Sequence, residues 1–326
     1  MMIIVGVVLG IAVLTAVYIA TCWAPERPLQ DLQPRWGFAP SVFVKVDGMR
    51  VHLRDEGPQD DPSPIVLLHG TVSSLHTWDG WAQDLKCDRR VIRFDLPGFG
   101  LTGPSLDGLY GGENDVQFVI ALLDHLNIDR CVLGGNSLGG GISWRTALLH
   151  PSRVEKLLLV DANGYPTCAV SKPLAFYLAG VPLPPWMVRN TLPGVIVEQG
   201  LRNVFGDPAK VRSELIVRTR ELTQLRGNRE ALIKRGHQWL RPPKLAHRIA
   251  ELKLPTLIIW GRRDRLIPPD NAERFHRDIA GSTMVIFDDL GHMPQEEDPA
   301  RTVAVVREFL QSTAGPSPLL DECNRQ

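Results

Sequence analysis

The sequence predicts an α/β fold, with a mostly parallel, eight-stranded sheet, helices on both faces and an inserted helical cap. Short apolar runs alternate with segments of helical periodicity from residue 65 to residue 160, and such alternation is typical of a parallel sheet covered by helices. The alternation stops over residues 166–243, which contain many prolines and short amphipathic pieces. It resumes with the apolar run 255–260, so we interpret the interruption as a cap inserted into one sheet domain.

The strands begin with a hairpin. The apolar segments 42–46 and 49–53 flank Asp47-Gly48, and an Asp-Gly pair between two strands is a strong hairpin signal. Further strands are expected at 65–68, 90–94, 131–135, 156–160, 255–260 and 283–287, and helices at 115–126, 138–149 and 299–311.

These elements divide the chain into six segments. We expect a transmembrane anchor or signal peptide at 1–22, a linker at 23–40, the first part of the sheet domain at 41–165, the helical cap at 166–243, the second part of the sheet domain at 244–312 and a flexible tail at 313–326.

The charge balance argues against nucleic-acid binding. The 326 residues include 36 Lys plus Arg and 36 Asp plus Glu, so the formal net charge is zero, and a basic excess of the kind that attracts nucleic acid is missing. The five cysteines are scattered without a C-x-x-C pair or a histidine at zinc spacing. That pattern is typical of isolated thiols and predicts neither a disulfide framework nor a metal site.

The N-terminus has the composition of a membrane span. Residues 1–20 contain no charged side chain, and about 20 apolar residues in a helix cross about 30 Å of hydrocarbon. A cleavable signal peptide usually starts with basic residues and has a shorter apolar stretch, so we expect an uncleaved anchor, with a secreted or periplasmic protein as the alternative. Trp23 and Trp36 suit the membrane interface. Arg27 and Arg35 formally favour a cytoplasmic domain, but two residues are too few to decide the side.

A G-x-S-x-G motif marks a candidate nucleophile. Gly135-Asn136-Ser137-Leu138-Gly139 lies between a predicted strand and a predicted helix, which is the context in which a tight turn raises the serine above the sheet. The alternative is an ordinary turn in which Ser137 only caps the helix.

The loop after an earlier strand is a candidate oxyanion-binding element. His69-Gly70-Thr71-Val72 follows the strand at 65–68, and in this architecture such a loop supplies one backbone N–H to the developing oxyanion. We expect that donor to be Thr71, with Val72 as the second choice. The other donor is expected to be the N–H of Leu138, directly after the serine.

An acidic residue follows the strand at 255–260. Asp264 lies in the loop just past that strand, and open α/β sheets bind ligands outside the carboxyl ends of their strands. Asp161, at the end of another strand, is a competing candidate, and Asp288 and Asp289 are two more. Chain order and loop context favour Asp264.

A histidine follows the last predicted strand. His292 comes 28 residues after Asp264, which leaves room for one helix and one strand between them. Histidine is the side chain whose ordinary pKa suits proton transfer near neutral pH. The chain order Ser137, Asp264, His292 is the order expected of a nucleophile, an orienting acid and a base in this architecture.

Together these motifs resemble the α/β-hydrolase superfamily over about residues 40–312. The matching pieces are His69-Gly70, Phe94-Asp95-Leu96-Pro97-Gly98-Phe99-Gly100, Gly135-Asn136-Ser137-Leu138-Gly139-Gly140, Gly261-Arg262-Arg263-Asp264 and Gly291-His292. The resemblance implies a Ser-Asp-His triad, a helical cap and no cofactor. It also implies a structural role for the loop that begins at Asp95.

The resemblance also limits which reactions of the superfamily are expected. Ser137 argues against epoxide hydrolases and haloalkane dehalogenases, which use an aspartate nucleophile. Carbon–carbon bond hydrolases are similar around 135–140, but their oxyanion loop is richer in glycine and proline than 69–72. The sequence is then similar to bacterial carboxylesterases and monoacylglycerol-type lipases, which implies a small-molecule, lipophilic ester as substrate and a membrane as partner. Carbon–carbon hydrolysis of the meta-cleavage type and an inactive, membrane-tethered binding protein are the alternatives, and the oligomeric state is left open.

Overall fold

The computed structural model describes residues 2–174, 183–239 and 245–312. Within them, eight strands form one sheet. They are β1 (Val42–Val46), β2 (Met49–Glu56), β3 (Ile65–Leu68), β4 (Val91–Phe94), β5 (Cys131–Asn136), β6 (Val154–Val160), β7 (Thr256–Gly261) and β8 (Thr283–Phe287).

Helices cover both faces of the sheet and fill the region between β6 and β7. The α-helices of the described residues are α1 (Met2–Cys22), α2 (Leu29–Trp36), α3 (Asp79–Leu85), α4 (Glu113–His125), α5 (Leu138–Leu149), α6 (Pro185–Asn190), α7 (Gly194–Val204), α8 (Ser213–Thr223), α9 (Asn228–Trp239), α10 (Asp270–Asp278), α11 (Pro294–Glu297) and α12 (Pro299–Ser312). Short 3₁₀ helices lie at Leu75–Trp78, Pro151–Arg153, Pro208–Lys210 and Ala246–Glu251.

The strand order across the sheet is β1-β2-β4-β3-β5-β6-β7-β8. β1 and β2 form the predicted antiparallel hairpin, in which Val46 pairs with Met49 around the Asp47-Gly48 turn. β2 is antiparallel to β4, and all pairs from β4 to β8 are parallel. The predicted fold class is confirmed, and the carboxyl ends of six parallel strands meet at one edge of the sheet.

Alternation along the central strands builds an apolar cluster on each face of the sheet. Val66 and Leu68 belong to the cluster under α4, α5 and α10, whereas Ile65 and Leu67 belong to the cluster under α3 and α12. All four side chains are fully buried. Because a parallel sheet is covered on both faces, such strands appear in the sequence as continuous apolar runs.

The N-terminal segment packs against the helices that follow β6. The carbonyl of Cys22, at the end of α1, accepts a hydrogen bond from Leu192 N–H at 2.8 Å, and Ala24 N–H donates to Asn190 O at 2.8 Å. Arg27 N–H donates to Gln224 O at 2.7 Å. The chain that leaves α1 is therefore bound to the helical region by its backbone.

Residues 29–36 were expected to be part of a linker but form α2. Leu32 and Trp36 of this helix are buried against Leu222, and Trp36 Nε1 donates to Glu221 Oε2 at 2.7 Å. The two prolines of the segment, Pro28 before the helix and Pro34 inside it, hide the helical spacing of the apolar residues in the sequence.

Two predicted segments extend beyond what the structure describes. The expected cap at 166–243 contains α6 to α9 but also residues 175–182 and 240–243, and the expected tail at 313–326 lies outside the described residues. Helix Ile4–Cys22 is long and apolar enough to cross a membrane, and none of its apolar stretch is buried in the protein. A signal sequence near the N-terminus has the same properties.

Candidate active site

Ser137 lies on a strained turn between β5 and α5. Its backbone angles are φ 54° and ψ −112°, a region that non-glycine residues rarely occupy. A Cβ atom at Gly135 would lie 2.3 Å from the carbonyl carbon of Gly139, and one at Gly139 would lie 2.2 Å from Leu68 O. The glycines of the motif are therefore required by the close packing of this turn, as expected for a nucleophile held above a sheet.

Backbone hydrogen bonds hold this turn in place. Ser137 N–H donates to Val160 O at 3.0 Å, and Ser137 O accepts from Asn163 N–H at 2.9 Å and from Gly141 N–H at 3.0 Å. Because Val160 is the last residue of β6 and Asn163 lies in the loop that follows, the neighbouring strand and its loop hold the strained turn.

Asp264 and His292 form a buried pair. His292 Nδ1 lies 2.6 Å from Asp264 Oδ2, and both residues are under 5% exposed. The second carboxylate oxygen, Oδ1, accepts from Leu266 N–H at 2.8 Å and from Ile267 N–H at 3.0 Å. With N–H donors aimed at both oxygens, the carboxylate is well placed to carry its negative charge and to keep a proton on Nδ1 of His292.

The pair and the serine meet at one pocket. Ser137 and His292 both line it, whereas Asp264 lies behind His292. The hydrogen bonds of the described residues do not include one between Ser137 Oγ and His292 Nε2, a contact that often tightens only when substrate binds. The structure thus brings the three predicted residues to one place, and their catalytic roles stay predictions.

The backbone of His292 is fixed by residues that the sequence analysis did not select. His292 N–H donates to Val204 O at 2.7 Å, and Asn136 Nδ2 donates to His292 O at 2.9 Å. Glu297 accepts from Gly291 N–H and from Gly206 N–H, each at 2.8 Å. The position of Asn136 beside the serine was a signal that could have been used. Glu297 follows the histidine without a recognisable pattern.

The predicted oxyanion loop lies at the same pocket. Thr71 and Val72 both line it, and Val72 has φ 56°, which is a genuine outlier for a β-branched residue. Leu138 is the first residue of α5, and the first turn of a helix leaves its N–H groups without partners inside the helix. The structure therefore leaves Thr71, Val72 and Leu138 as candidates for the two donors.

His69 fixes the start of that loop through hydrogen bonds of its ring. Leu96 N–H donates to His69 Nε2 at 3.0 Å, so Nδ1 carries the proton and donates to Gly70 O at 2.7 Å. Burial lowers the pKa of His69 and outweighs the opposite effect of Asp95. The ring is consequently neutral and acts as a fixed link between the loop and Leu96.

The family follows from comparison with known proteins. A model described as the alpha/beta hydrolase family matches residues 65–305, which is well over half of the chain. The chain belongs to this family.

Individual relatives of this hydrolase differ in the reaction for which they are named. A 2-hydroxy-6-oxononadienedioate/2-hydroxy-6-oxononatrienedioate hydrolase of Burkholderia vietnamiensis is 31% identical over 84% of this chain and 96% of its own. The structure of a meta-cleavage product hydrolase from Pseudomonas fluorescens is 25% identical with a TM-score of 0.73, over 84% of this chain and 98% of its own. A thermophilic esterase from Thermogutta terrifontis is 26% identical with a TM-score of 0.69, over 84% and 99%.

The pocket of the hydrolase is walled mainly by apolar side chains from the helical region. Those from α7, α8, α9 and the loop before α7 are Leu192, Ile196, Val197, Leu201, Val204, Leu215, Leu222 and Leu232. Among the described residues that line the pocket, Arg218 is the single lysine or arginine, and its guanidinium is paired with Glu296. The pocket wall is therefore mainly apolar, and the positive charge of Arg218 is neutralised by Glu296.

A second carboxyl group, that of Asp161, lies beside the Asp264–His292 pair. One possible ligand atom from each of Asp161, Asp264 and His292 lies within 4.8 Å of the others, a spacing that could hold a metal ion. However, His292 Nδ1 and Asp264 Oδ2 are bonded to each other, and Asp264 Oδ1 already accepts two N–H groups. The possible metal-ligand atoms of Asp264 and His292 are thus engaged in hydrogen bonds within the protein. These bonds do not account for the buried carboxyl group of Asp161.

Proposed function

We propose that this hydrolase cleaves carboxylic esters of lipophilic substrates through an acyl-enzyme on Ser137. The observation that carries the proposal is the apolar pocket in which Ser137 and His292 lie together. Burial of apolar substrate surface there supplies binding energy of about 25 cal/mol for each Å², and the polar groups at the serine supply the chemistry.

The proposed reaction has two steps. His292 Nε2 takes the proton of Ser137 Oγ as this oxygen attacks the ester carbonyl carbon, while Asp264 holds Nδ1–H and stabilises the imidazolium. The N–H groups of Thr71 and Leu138 bind the oxyanion, and the alcohol leaves with the proton from His292. Water then attacks the acyl-enzyme with His292 again as base, which releases the acid and restores the serine.

Carbon–carbon bond hydrolysis of the meta-cleavage type is the second candidate. The names of the relatives favour it over ester hydrolysis, since several curated relatives are dienoate or dienedioate hydrolases that act on carboxylate-bearing substrates. Charge favours the ester, because the pairing of Arg218 with Glu296 leaves the pocket without an unpaired lysine or arginine among its described residues to meet such a carboxylate. Transfer of an unpaired carboxylate into an apolar site is costly.

One preparation can separate these candidates. Wild type and Ser137→Ala are compared on p-nitrophenyl esters of increasing acyl length and on a 2-hydroxy-6-oxo-dienoate. We expect wild type to hydrolyse the longer esters fastest and the variant to lose activity by about 10⁴-fold or more. Cleavage of the dienoate alone would establish the second candidate. Failure on both, with no labelling of Ser137 by a serine-reactive phosphonate, would favour an inactive binding protein.

We further propose that α1 anchors the hydrolase in a membrane and that the described part of the expected cap segment, which contains α6 to α9, covers the pocket. Two observations support this arrangement. Helix α1 has 21 residues without an acidic or basic side chain, and its last carbonyl is bonded to Leu192, whose side chain lines the pocket. The pocket then lies near the end of the anchor, where lipophilic substrates are concentrated. Mass spectrometry of the protein in washed membranes and in the soluble fraction tests this. We expect the full-length chain in the membranes, whereas a soluble chain that lacks about residues 1–22 would indicate a signal peptide.

A further inference from the structure

Asp161 is a buried carboxyl group that the proposed mechanism does not use. It follows β6 directly and is fully buried. Its φ angle is 43°, a left-handed conformation that is uncommon outside glycine. Its backbone N–H donates to Ile259 O at 3.0 Å, so the strained residue is held by the neighbouring strand and its side chain is fixed beside the triad.

The two carboxyl groups of this site have unequal hydrogen bonding. Asp264 accepts two backbone N–H groups on Oδ1 and meets Nδ1 of His292 on Oδ2. Asp161 accepts one, from Gly261 N–H at 3.1 Å on Oδ1, and its Oδ2 accepts no hydrogen bond from the described residues. The charge of a carboxylate is therefore much better stabilised on Asp264 than on Asp161.

The titratable groups that face Asp161 also disfavour a second negative charge. Asp264 and His292 lie within 4.8 Å by their nearest ligand atoms, and Glu297 adds a more distant carboxyl. Burial raises the pKa of Asp161 well above its ordinary value, and the negative charge of Asp264 raises it further. Two buried carboxylates at such a distance do not both ionise, so one proton stays between them.

We propose that Asp161 is a positioning residue of the triad, whose carboxyl group stays protonated and donates a hydrogen bond from Oδ2 to Asp264. The inference rests on the proposed function, because it assigns Asp264 and His292 to the reaction. The neutral donor fixes Asp264 and places no second negative charge beside the imidazole, whose nearest ligand atom lies within 4.8 Å of that of Asp161. The ring of His292 therefore faces one negative charge and not two.

The test is the pH profile of kcat/KM on a p-nitrophenyl ester for Asp161→Asn and Asp161→Ala, with the exposed Asp288→Asn as a matched control. Asparagine is neutral and can donate the same hydrogen bond, so we expect activity within about threefold of wild type and an unchanged acidic limb. Alanine removes the donor to a charged group, so kcat is expected to fall about tenfold or more with KM unchanged.

Two results would overturn the inference. An acidic limb that moves down by about one pH unit in Asp161→Asn would show that Asp161 is ionised in wild type, since a like charge at this distance shifts a pKa by about that much. Equal activity of the alanine and wild-type proteins would remove the positioning role.

A spectroscopic measurement covers the case in which the alanine variant does not fold. The infrared difference spectrum of wild type minus Asp161→Asn at neutral pH should contain the carbonyl band of a protonated carboxyl group. If this band is absent from the difference spectrum, the inference is also overturned. This readout needs no turnover, so it distinguishes failure of the Asp161 inference from failure of the proposed function, which Ser137→Ala tests separately.

Discussion

Among the described residues of the hydrolase, two buried Asp–His pairs have nearly the same geometry but different surroundings. His292 Nδ1 lies 2.6 Å from Asp264 Oδ2, and His52 Nδ1 lies 2.7 Å from Asp95 Oδ2. All four side chains are buried. Yet His292 lines the pocket that contains Ser137, whereas neither Asp95 nor His52 is among its described lining residues.

The second pair joins parts of the scaffold. The ring of His52 stacks on Phe43 with 5.0 Å between centroids, and its Nε2 has no hydrogen-bond partner among the described residues. Asp95 also accepts Leu75 N–H and Leu101 N–H, each at 2.7 Å. A buried Asp–His hydrogen bond therefore does not by itself define a catalytic pair: the group that faces the other ring nitrogen decides what the pair can do.

The largest effect is expected from breaking the pair at the pocket. Asp264→Asn keeps the shape of the side chain but removes its charge and the preference for a proton on Nδ1. By analogy with the serine-protease triad, we expect kcat to fall about 10³- to 10⁴-fold with little loss of stability. Steady-state kinetics and thermal unfolding of the same preparation check both parts. An active Asp264→Asn protein would return Asp161, Asp288 and Asp289 to consideration as the orienting acid.

The matched substitution in the other pair should affect folding and leave the chemistry intact. Burial alone would raise the pKa of Asp95, but the charge and hydrogen bond of His52, together with the hydrogen bond from Leu75 N–H, lower it to about 2. The ionised form is thus favoured in the folded state, and its stabilisation is complete above pH 4 and is lost as the pH falls towards 2.

We therefore expect Asp95→Asn to lower the free energy of unfolding by about 2–4 kcal/mol at neutral pH. Wild type should lose about 2 kcal/mol of stability between pH 4 and pH 2 through this group, and the variant should lack that part of the slope. Denaturant unfolding at several pH values measures both quantities. Activity per folded molecule is the control, and a drop comparable to that of Asp264→Asn would contradict the division between the pairs.

The smallest expected effects come from the side chains that hold the backbone of each histidine. Asn136 donates to His292 O, and Thr102 Oγ1 accepts from His52 N–H at 3.0 Å. Loss of one such hydrogen bond costs about 1 kcal/mol. We expect Asn136→Ala to reduce kcat several-fold and Thr102→Val to reduce stability by about 1 kcal/mol with kcat unchanged. The two variants, measured by the same kinetic and unfolding assays, should show opposite patterns.

Much of the fold and of the site could be predicted because both follow simple patterns. Buried strands are apolar runs, and the loops after β5, β7 and β8 carry Ser137, Asp264 and His292 to one edge of the sheet. Helix α2 was missed because Pro28 and Pro34 obscure its spacing.

Other features depend on contacts that have no local pattern. The φ angle of Val72 is imposed by its loop, and the bonds of Asn136 and Glu297 to the His292 loop join distant parts of the chain. Nothing near Asp161 in the sequence indicates that Asp264 will lie beside it. The choice between ester and carbon–carbon hydrolysis depends on pocket walls made by α7 to α9, whose packing a single sequence does not reveal.

The backbone bond between Cys22 and Leu192 changes how the N-terminal segment should be treated in the laboratory. The backbone of residues 22–27 forms hydrogen bonds with Asn190, Leu192 and Gln224 of the helical region, and α2 covers Leu222 and Leu225. A chain shortened to begin at residue 41 would lose these contacts with the helical region and would expose the apolar side chain of Leu222, which lines the pocket. Kinetic constants measured on such a shortened protein would describe a pocket whose helical walls lack these contacts.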